Sequence, residues 1–90
     1  MENLEKFIKE NRLDFSGINN SNLNSDCCII SGYALHIGAT EENVINAIWT
    51  VKKAKNINFL QELEKVFKFA EKKNYGKWWS TPEAKKMYKF

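Results

Sequence analysis

Two neighbouring cysteines, Cys27 and Cys28, and the single histidine, His36, are the side chains of this sequence best suited to bind a metal or to act as a nucleophile. A structural zinc site needs four ligands in spaced pairs, which these residues do not supply even with Asp26. A cysteine nucleophile needs a histidine nearby, whereas a helix would place His36 two turns from Cys28. We therefore expect no metal and no other cofactor. Both thiols are expected to be buried as small apolar side chains, with His36 near a helix end.

Paired carboxylates are the remaining candidates for catalysis. They occur as Glu41 with Glu42, and as Glu62 with Glu64. The helix dipole and exposure to solvent explain both pairs without an acid–base role. The sequence also contains no Gly-rich phosphate loop, nucleophile elbow or metalloprotease helix. Nothing in the sequence supports catalysis, and we expect the protein not to be an enzyme.

Lysines alternate with aromatic residues between Lys72 and Trp79, a stretch that we call the aromatic–lysine segment (residues 72–79). Tryptophan and tyrosine dominate protein-binding hot spots, and aromatic rings beside lysines also bind single-stranded nucleic acid or nucleotides. A thin core needs its aromatic side chains, so we expect one of the two adjacent tryptophans to be buried and the other partly exposed. The predicted partner-binding residues are Lys72, Lys73, Tyr75, Lys77, Trp78 and Trp79.

Charge is divided unevenly along the chain. Residues 1–44 contain three basic and seven acidic residues, whereas residues 45–90 contain eleven lysines and four glutamates. Lys65 and Lys68 share a helix face with Lys72 and are candidate anion-binding residues. A basic face suits an acidic protein or nucleic acid, although lysines also form ordinary solvated surfaces. The only arginine is Arg12, in the acidic half, and this weakens the case for specific phosphate or base recognition.

The spacing of Ala34, Gly38 and Val44 resembles a helix-turn-helix, in which a glycine makes the turn between two closely packed helices. The second helix would enter the DNA groove with Glu41 and Glu42 at its start. Those carboxylates would face phosphates and base acceptors, so the pattern favours a plain corner between two helices.

Apolar residues at helical spacing, together with N-capping residues, predict the elements that carry these side chains. Five helices are expected: over residues 2–13, over residues 27–37, from Thr40 to about residue 53, from Asn58 to about residue 74, and a short one after Ser80. Gly76 is expected to end the fourth helix. Residues 14–26 are rich in asparagine and serine and are expected to form a loop, which Phe15, Ile18 and Leu23 attach to the core.

The segment over residues 27–37 is ambiguous, because it is apolar almost all round. We favour a central buried helix capped by Ser25 or Asp26, with one or two strands as the alternative. The predicted fold is therefore a single all-α domain of about five short helices, and α+β is the alternative. Adjacent cysteines are poor disulfide partners, and no segment resembles a signal peptide or a membrane span. These features predict a cytoplasmic protein that does not enter a membrane.

The function that these observations favour is binding. We expect a small non-enzymatic protein that occupies a surface of a protein partner, which could be acidic or itself a nucleic-acid-binding protein. A compositional bias towards lysine and asparagine suggests a phage or mobile-element inhibitor of a host system. One alternative is a nucleic-acid or nucleotide binder that uses the basic, aromatic half of the chain. The other is a homo-oligomeric structural module that buries apolar residues between subunits.

Overall fold

The computed structural model describes residues 2–17, 20–54 and 56–88, and within these ranges it contains six helices and no strand. The helices are α1 (Glu2–Glu10), α2 (Asn20–His36), α3 (Glu41–Thr50), α4 (Ile57–Lys73), α5 (Tyr75–Trp78) and α6 (Pro82–Met87). The all-α prediction is confirmed, and the alternative of a strand over residues 27–37 is wrong. The sixth helix is the single turn α5, which lies inside the aromatic–lysine segment.

Helix α2 is the central element, as predicted. It contacts α1, α3, α4 and α5, and its contact with α4 is the most extensive in the fold. A helix surrounded by four others must be apolar on most of its faces, which explains the nearly continuous apolar sequence between Cys27 and Ile37. The described helices form a compact body of 33 × 25 × 23 Å. None of them is long and apolar enough to cross a membrane.

The predicted loop over residues 14–26 is wrong in its second half, because α2 begins at Asn20 and not after Ser25 or Asp26. Leu23 is only 3% exposed. Burying a leucine contributes about 1.5–3 kcal/mol, whereas asparagine or serine costs up to about 0.7 kcal/mol per residue in a helix. The burial of Leu23 therefore offsets several poor helix formers, and local propensity loses to tertiary packing.

The shortened loop is attached to α2 and α4 at several points. The Asp26 carboxylate accepts a hydrogen bond from the backbone N–H of Asp14 at 2.5 Å. Phe15 is fully buried and meets Phe59 edge to face, with ring centroids 5.7 Å apart. The predicted roles of Phe15 and Leu23 in attaching this segment to the core are confirmed, and Ile18 lies outside the described residues.

The predicted start of α4 is displaced as well. The N-cap of α4 is Asn56 and not Asn58, which lies inside the helix. The Asn56 Oδ1 accepts from the N–H of Phe59 at 3.0 Å, while its Nδ2 donates to the carbonyl of Ser16 at 2.6 Å. The second bond crosses forty residues of chain, so a tertiary contact selects which asparagine caps the helix.

The other starts follow the capping rules more closely. Thr40 caps α3 as predicted: its Oγ1 accepts from the N–H of Asn43 at 3.2 Å, and the Asn43 Oδ1 accepts from the N–H of Thr40 at 3.0 Å. The cap of α6 is Thr81 and not Ser80, and Thr81 Oγ1 accepts from the N–H of Ala84 at 3.4 Å. This assignment leaves Pro82 at the first position of the helix, where its missing N–H costs no hydrogen bond.

The corner between α2 and α3 has the geometry that its spacing predicts. Gly38 adopts a φ of +78°, a left-handed conformation that glycine accepts without strain. Ala34 and Val44 are buried on the two sides of the turn. Glu41 and Glu42 occupy the first turn of α3, where carboxylates favour the positive end of the helix dipole.

A single buried cluster joins all of the longer helices with α6. Its aromatic and aliphatic members fill the space between α2 and the surrounding elements. The largest fully buried apolar side chains are Phe7, Phe15, Phe59, Leu4, Ile8, Leu13, Ile30, Ile48, Leu63 and Val44.

Candidate binding site: an aromatic groove

Trp79 is the buried centre of an aromatic array that runs from the core to the surface. It is 2% exposed, and its ring centroid lies 5.5 Å from Phe7, 5.8 Å from Tyr33 and 4.6 Å from Tyr88. Deeper in the core, Phe7 and Tyr33 stack with their centroids 4.0 Å apart. Trp78 meets Trp79 edge to face at 5.3 Å and brings the array to the surface.

The position of Trp79 depends on a glycine in α2. A Cβ atom at Gly32 would overlap the indole nitrogen of Trp79 and lie 2.8 Å from its Cδ1. Carbon atoms in ordinary contact are about 3.5–4.0 Å apart, so any larger residue at this position would displace the indole. Gly32 therefore provides the space that Trp79 occupies.

The array opens into a groove of about 280 Å³ between α2, α5 and the end of α6. The residues that line this aromatic groove are Cys28, Ile29, Tyr75, Trp78, Trp79 and Tyr88. Trp78 is 40% exposed and Tyr75 is 43% exposed, while Trp79 forms the buried wall. The prediction that one tryptophan would be buried and the other partly exposed is confirmed. Trp79 consequently supports the site from behind, and Tyr75 and Trp78 present its accessible rings.

The single turn α5 places these rings because the chain reverses direction just before it. Asn74 ends α4 in the left-handed conformation, with φ 62° and ψ 42°. The C-cap is therefore Asn74 and not Gly76, which lies within α5. A Cβ at Gly76 would lie 3.2 Å from the backbone carbonyl carbon of Leu35, so the glycine allows α5 to approach α2 closely. This contact turns Tyr75 and Trp78 towards the groove.

The lysines of the predicted site do not line the aromatic groove. Lys77 lies on the other side of α5, in a hollow that also includes His36, Glu71 and Ser80. Lys72 and Lys73 are exposed in the last turn of α4. The Lys73 ammonium lies 5.9 Å from the centroid of the exposed Phe69 ring, a cation–π contact. The lysines of the predicted site therefore lie outside the groove lining, on α5 and on the last turn of α4 that precedes it.

The two candidate anion-binding lysines, Lys65 and Lys68, differ in whether they form an ion pair. Both are exposed on α4. Lys68 donates to the carboxylate of Glu64 at 2.9 Å, one turn earlier on the helix. This hydrogen bond raises the pKa of Lys68 and lowers the pKa of Glu64. Lys68 is thus partly neutralised, and Lys65 has no ion pair within the described ranges.

Three residues of the groove were not among the predicted site residues. Cys28 and Ile29 come from α2, and Tyr88 follows α6. Ala84 is buried and Tyr88 is half-buried, but Met87 is exposed. No local pattern near residue 28 indicates a groove, because its other wall lies about fifty residues further along the chain.

The two thiols have different environments, and the expectation that both are buried is wrong for Cys28. Cys27 is fully buried, and this burial raises its pKa to about 12. Cys28 is exposed in the groove wall. Cys28 lies about 100° further round the helix than Cys27, which brings it to the groove. Partial desolvation in the groove wall raises the pKa of the Cys28 thiol as well, which keeps it protonated at neutral pH.

His36 lies at the end of α2, as predicted, and its Nδ1 is 3.2 Å from the Oγ of Ser80. This hydrogen bond joins α2 to the segment between α5 and α6. No group of three or more histidine, cysteine or acidic side chains could hold a metal ion in the part of the chain that the structure describes. The lining of the aromatic groove, four aromatic rings with Ile29 and Cys28, suits the burial of an apolar group.

Comparison of the chain with protein-family models, with curated proteins and with solved structures finds no match. The functional argument accordingly depends on the geometry of the groove and on the charges around it.

Proposed function

We propose that this chain is a non-enzymatic binding protein that attaches to a partner protein through the aromatic groove and acts by covering the surface to which it binds. The observation that carries the proposal is the pair of accessible rings, Tyr75 and Trp78, held over the buried wall formed by Trp79. Tryptophan and tyrosine are the residues most enriched at the energetic centres of protein interfaces.

The rings are held in place before any partner arrives. Trp78 packs edge to face against Trp79, and it meets Tyr88 at 6.3 Å with an interplanar angle of 70°. A side chain that is already fixed loses little conformational entropy on binding, whereas a mobile one costs about 0.5–1.5 kcal/mol to immobilise. This arrangement supports binding by insertion of a partner side chain into an existing groove.

The volume of the groove also favours a macromolecular partner. Pockets for cofactors and drug-sized ligands typically enclose about 300–1,000 Å³ and bury most of the ligand. The aromatic groove is slightly below this range at about 280 Å³ and is open along one side. It fits one anchoring side chain whose remaining chain lies across the surface of the protein.

The proposal is tested by capture from a bacterial lysate with the tagged protein, with and without nuclease, using three versions of the chain. Trp78→Ala removes the exposed ring of the groove. Trp49→Ala is the matched control, because Trp49 is 41% exposed but lies on α3 and does not line the groove. A stoichiometric protein captured by the wild type and by Trp49→Ala, but lost with Trp78→Ala, is the expected result.

Two results would contradict the proposal. Capture that is equally strong with Trp78→Ala would show that another surface binds the partner. Recovery of nucleic acid alone, lost with nuclease or with salt, would favour a nucleic-acid-binding role for the basic half of the chain. Thermal melting of each variant verifies that the fold is intact before the results are compared.

A further inference from the structure

We infer that the occupant of the aromatic groove is an acidic segment of another protein, which inserts one apolar side chain between Tyr75 and Trp78 and places carboxylates near the surrounding lysines. This inference rests on the proposed function and adds the chemistry of the partner. It follows from the absence of charge in the groove lining, the excess of lysine around it and the angles between its rings.

The groove lining is apolar and uncharged. Its members are four aromatic residues, Ile29 and the thiol of Cys28. The acidic group that acts on the Cys28 thiol is Glu62 of α4, whose carboxylate accepts a hydrogen bond from the amide of Asn24. A charged side chain inserted here would lose hydration without gaining an opposite charge. The inserted group is therefore apolar.

The elements that carry the exposed rings are strongly basic. Between Lys65 and Tyr88 the chain has seven lysines and two glutamates, Glu71 and Glu83. Glu71 lies in the hollow beyond α5, on the side away from the aromatic groove. A partner chain that leaves the groove therefore passes over elements with an excess of positive charge. This charge attracts carboxylates on the partner.

Most of these lysines are available to a partner. Lys68 is paired with Glu64, and Lys73 lies over the Phe69 ring. The lysines of this stretch that form neither an ion pair nor a cation–π contact within the described ranges are Lys65, Lys72, Lys77, Lys85 and Lys86. Carboxylates from a partner can approach them without breaking an existing bond. Charges at the rim of an interface mainly raise the association rate and make binding sensitive to salt.

Ring geometry and charge disfavour two other occupants. Trp78 stands at 70° to Tyr88 and at 85° to Trp79, so it meets the neighbouring rings of the groove at corners and these pairs offer no parallel surfaces for a row of stacked bases. Aromatic cages also bind quaternary ammonium groups. A cation approaching this groove would be repelled by the same lysines that attract a carboxylate.

The test uses a display library of random twelve-residue peptides, selected on the wild-type protein and counter-selected on Trp78→Ala. Recovered peptides are expected to combine one leucine, phenylalanine or tryptophan with flanking aspartate and glutamate. The best of them is then synthesised with a fluorescent label for titration. Trp78→Ala should weaken its binding at least roughly tenfold, as expected for the loss of a hot spot, whereas Trp49→Ala should leave it unchanged.

Charge is tested separately from the anchor. Lys72→Glu combined with Lys85→Glu should weaken binding of the labelled peptide by at least roughly fivefold, because each change replaces an attraction with a repulsion. Lys52→Glu combined with Lys53→Glu makes the same change in net charge on the segment between α3 and α4, which does not line the groove, and should have little effect. Binding should also weaken as salt is raised from low to physiological concentration.

The possible results separate this inference from the proposed function. Trp78-dependent peptides that are neutral or basic would overturn the acidic partner and leave the proposed function standing. Failure to recover any Trp78-dependent peptide would overturn the inference, and the capture experiment would then decide the proposed function independently. Trp78-dependent binding of a labelled twelve-nucleotide thymidine strand in place of peptides would also overturn it. So would a dimer in sedimentation that Trp78→Ala dissociates, because the occupant would then be a second copy of the chain.

Discussion

Replacement of Gly32 by alanine is expected to destabilise the protein, although alanine is the better helix former. The new Cβ would overlap the indole nitrogen of Trp79 and lie 2.8 Å from its Cδ1. To restore ordinary contact, the indole must retreat by at least about 0.7 Å. It cannot do so freely, because Phe7, Tyr33 and Tyr88 pack around it with centroid distances of 4.6–5.8 Å.

Two opposing effects determine the size of the change. Alanine in place of glycine within a helix stabilises by about 1 kcal/mol. Overpacking a rigid core costs typically 1–3 kcal/mol, and the severity of this overlap points to the upper end of that range. The net loss in the free energy of unfolding is therefore about 2 kcal/mol. For a domain of this size, that lowers the melting temperature by roughly 8–16 °C.

The assay is urea unfolding followed by circular dichroism, applied to a double-mutant cycle. Trp79→Ala alone should cost about 3–5 kcal/mol, because it leaves a cavity in the core. In that background Gly32→Ala no longer meets the indole, so it should stabilise the protein by about 1 kcal/mol. The sign of the Gly32→Ala effect should thus reverse. If Trp79→Ala does not fold, Trp79→Leu provides the same test with a smaller loss.

Ser31→Ala is the matched control on the adjacent position of α2. Ser31 is fully buried, and its Oγ has no hydrogen-bond partner among the described residues. Removing an unsatisfied buried hydroxyl should stabilise the protein by about 1 kcal/mol. Opposite effects at Ser31 and Gly32 are therefore expected from the same type of substitution. Destabilisation by Gly32→Ala that persists unchanged without the Trp79 indole would refute the reasoning.

Three further predictions concern capping, thiol reactivity and pH. Asn56→Ala should lower the free energy of unfolding in urea by about 2 kcal/mol, because it removes a helix cap and a tertiary hydrogen bond. Asn58→Ala should change it by no more than about 0.5 kcal/mol. Equal effects of the two variants would contradict this cap assignment. A thiol reagent should modify Cys28 in the native protein, at a rate that increases as pH rises, and should modify Cys27 only after unfolding. Modification of both thiols at the same rate would contradict the burial of Cys27. Burial raises the pKa of Asp26 above its ordinary 3.8, so the folded state binds this proton more tightly than the unfolded state does. The stability that the bound proton contributes is therefore lost as pH rises from about 3.8 through the raised pKa. Asp26→Asn should gain in stability relative to the wild type between about pH 3 and pH 7, and a relative loss would refute the assignment.

Local patterns in the sequence predicted most of the helical framework. The apolar spacing of Leu4, Phe7 and Ile8 predicted α1, and Thr40 was correctly predicted as a helix cap. Errors occurred where a distant residue decides the outcome. Asn56 and Asn58 are equally good caps by residue type, and only the bond to the Ser16 carbonyl distinguishes them.

The candidate site was predicted in part. The aromatic–lysine segment contains Tyr75 and Trp78, the exposed rings of the groove, but it did not distinguish Trp78 from the buried Trp79. It grouped Lys77 with them because the residues are adjacent, whereas the single turn α5 directs Lys77 to the opposite side. Cys28 and Tyr88 were missed, since neighbouring positions on a helix give no information about which distant element faces them.

The sequence by itself determined the all-α architecture, the central place of the apolar segment 27–37 and the concentration of lysine and aromatic residues in one half of the chain. These properties depend on spacing and composition, which are local. The tertiary structure alone decided which tryptophan is buried, because the space for Trp79 is created by Gly32, forty-seven residues earlier in the chain. Close packing allows only one arrangement of such bulky rings, and that arrangement is fixed by contacts between helices.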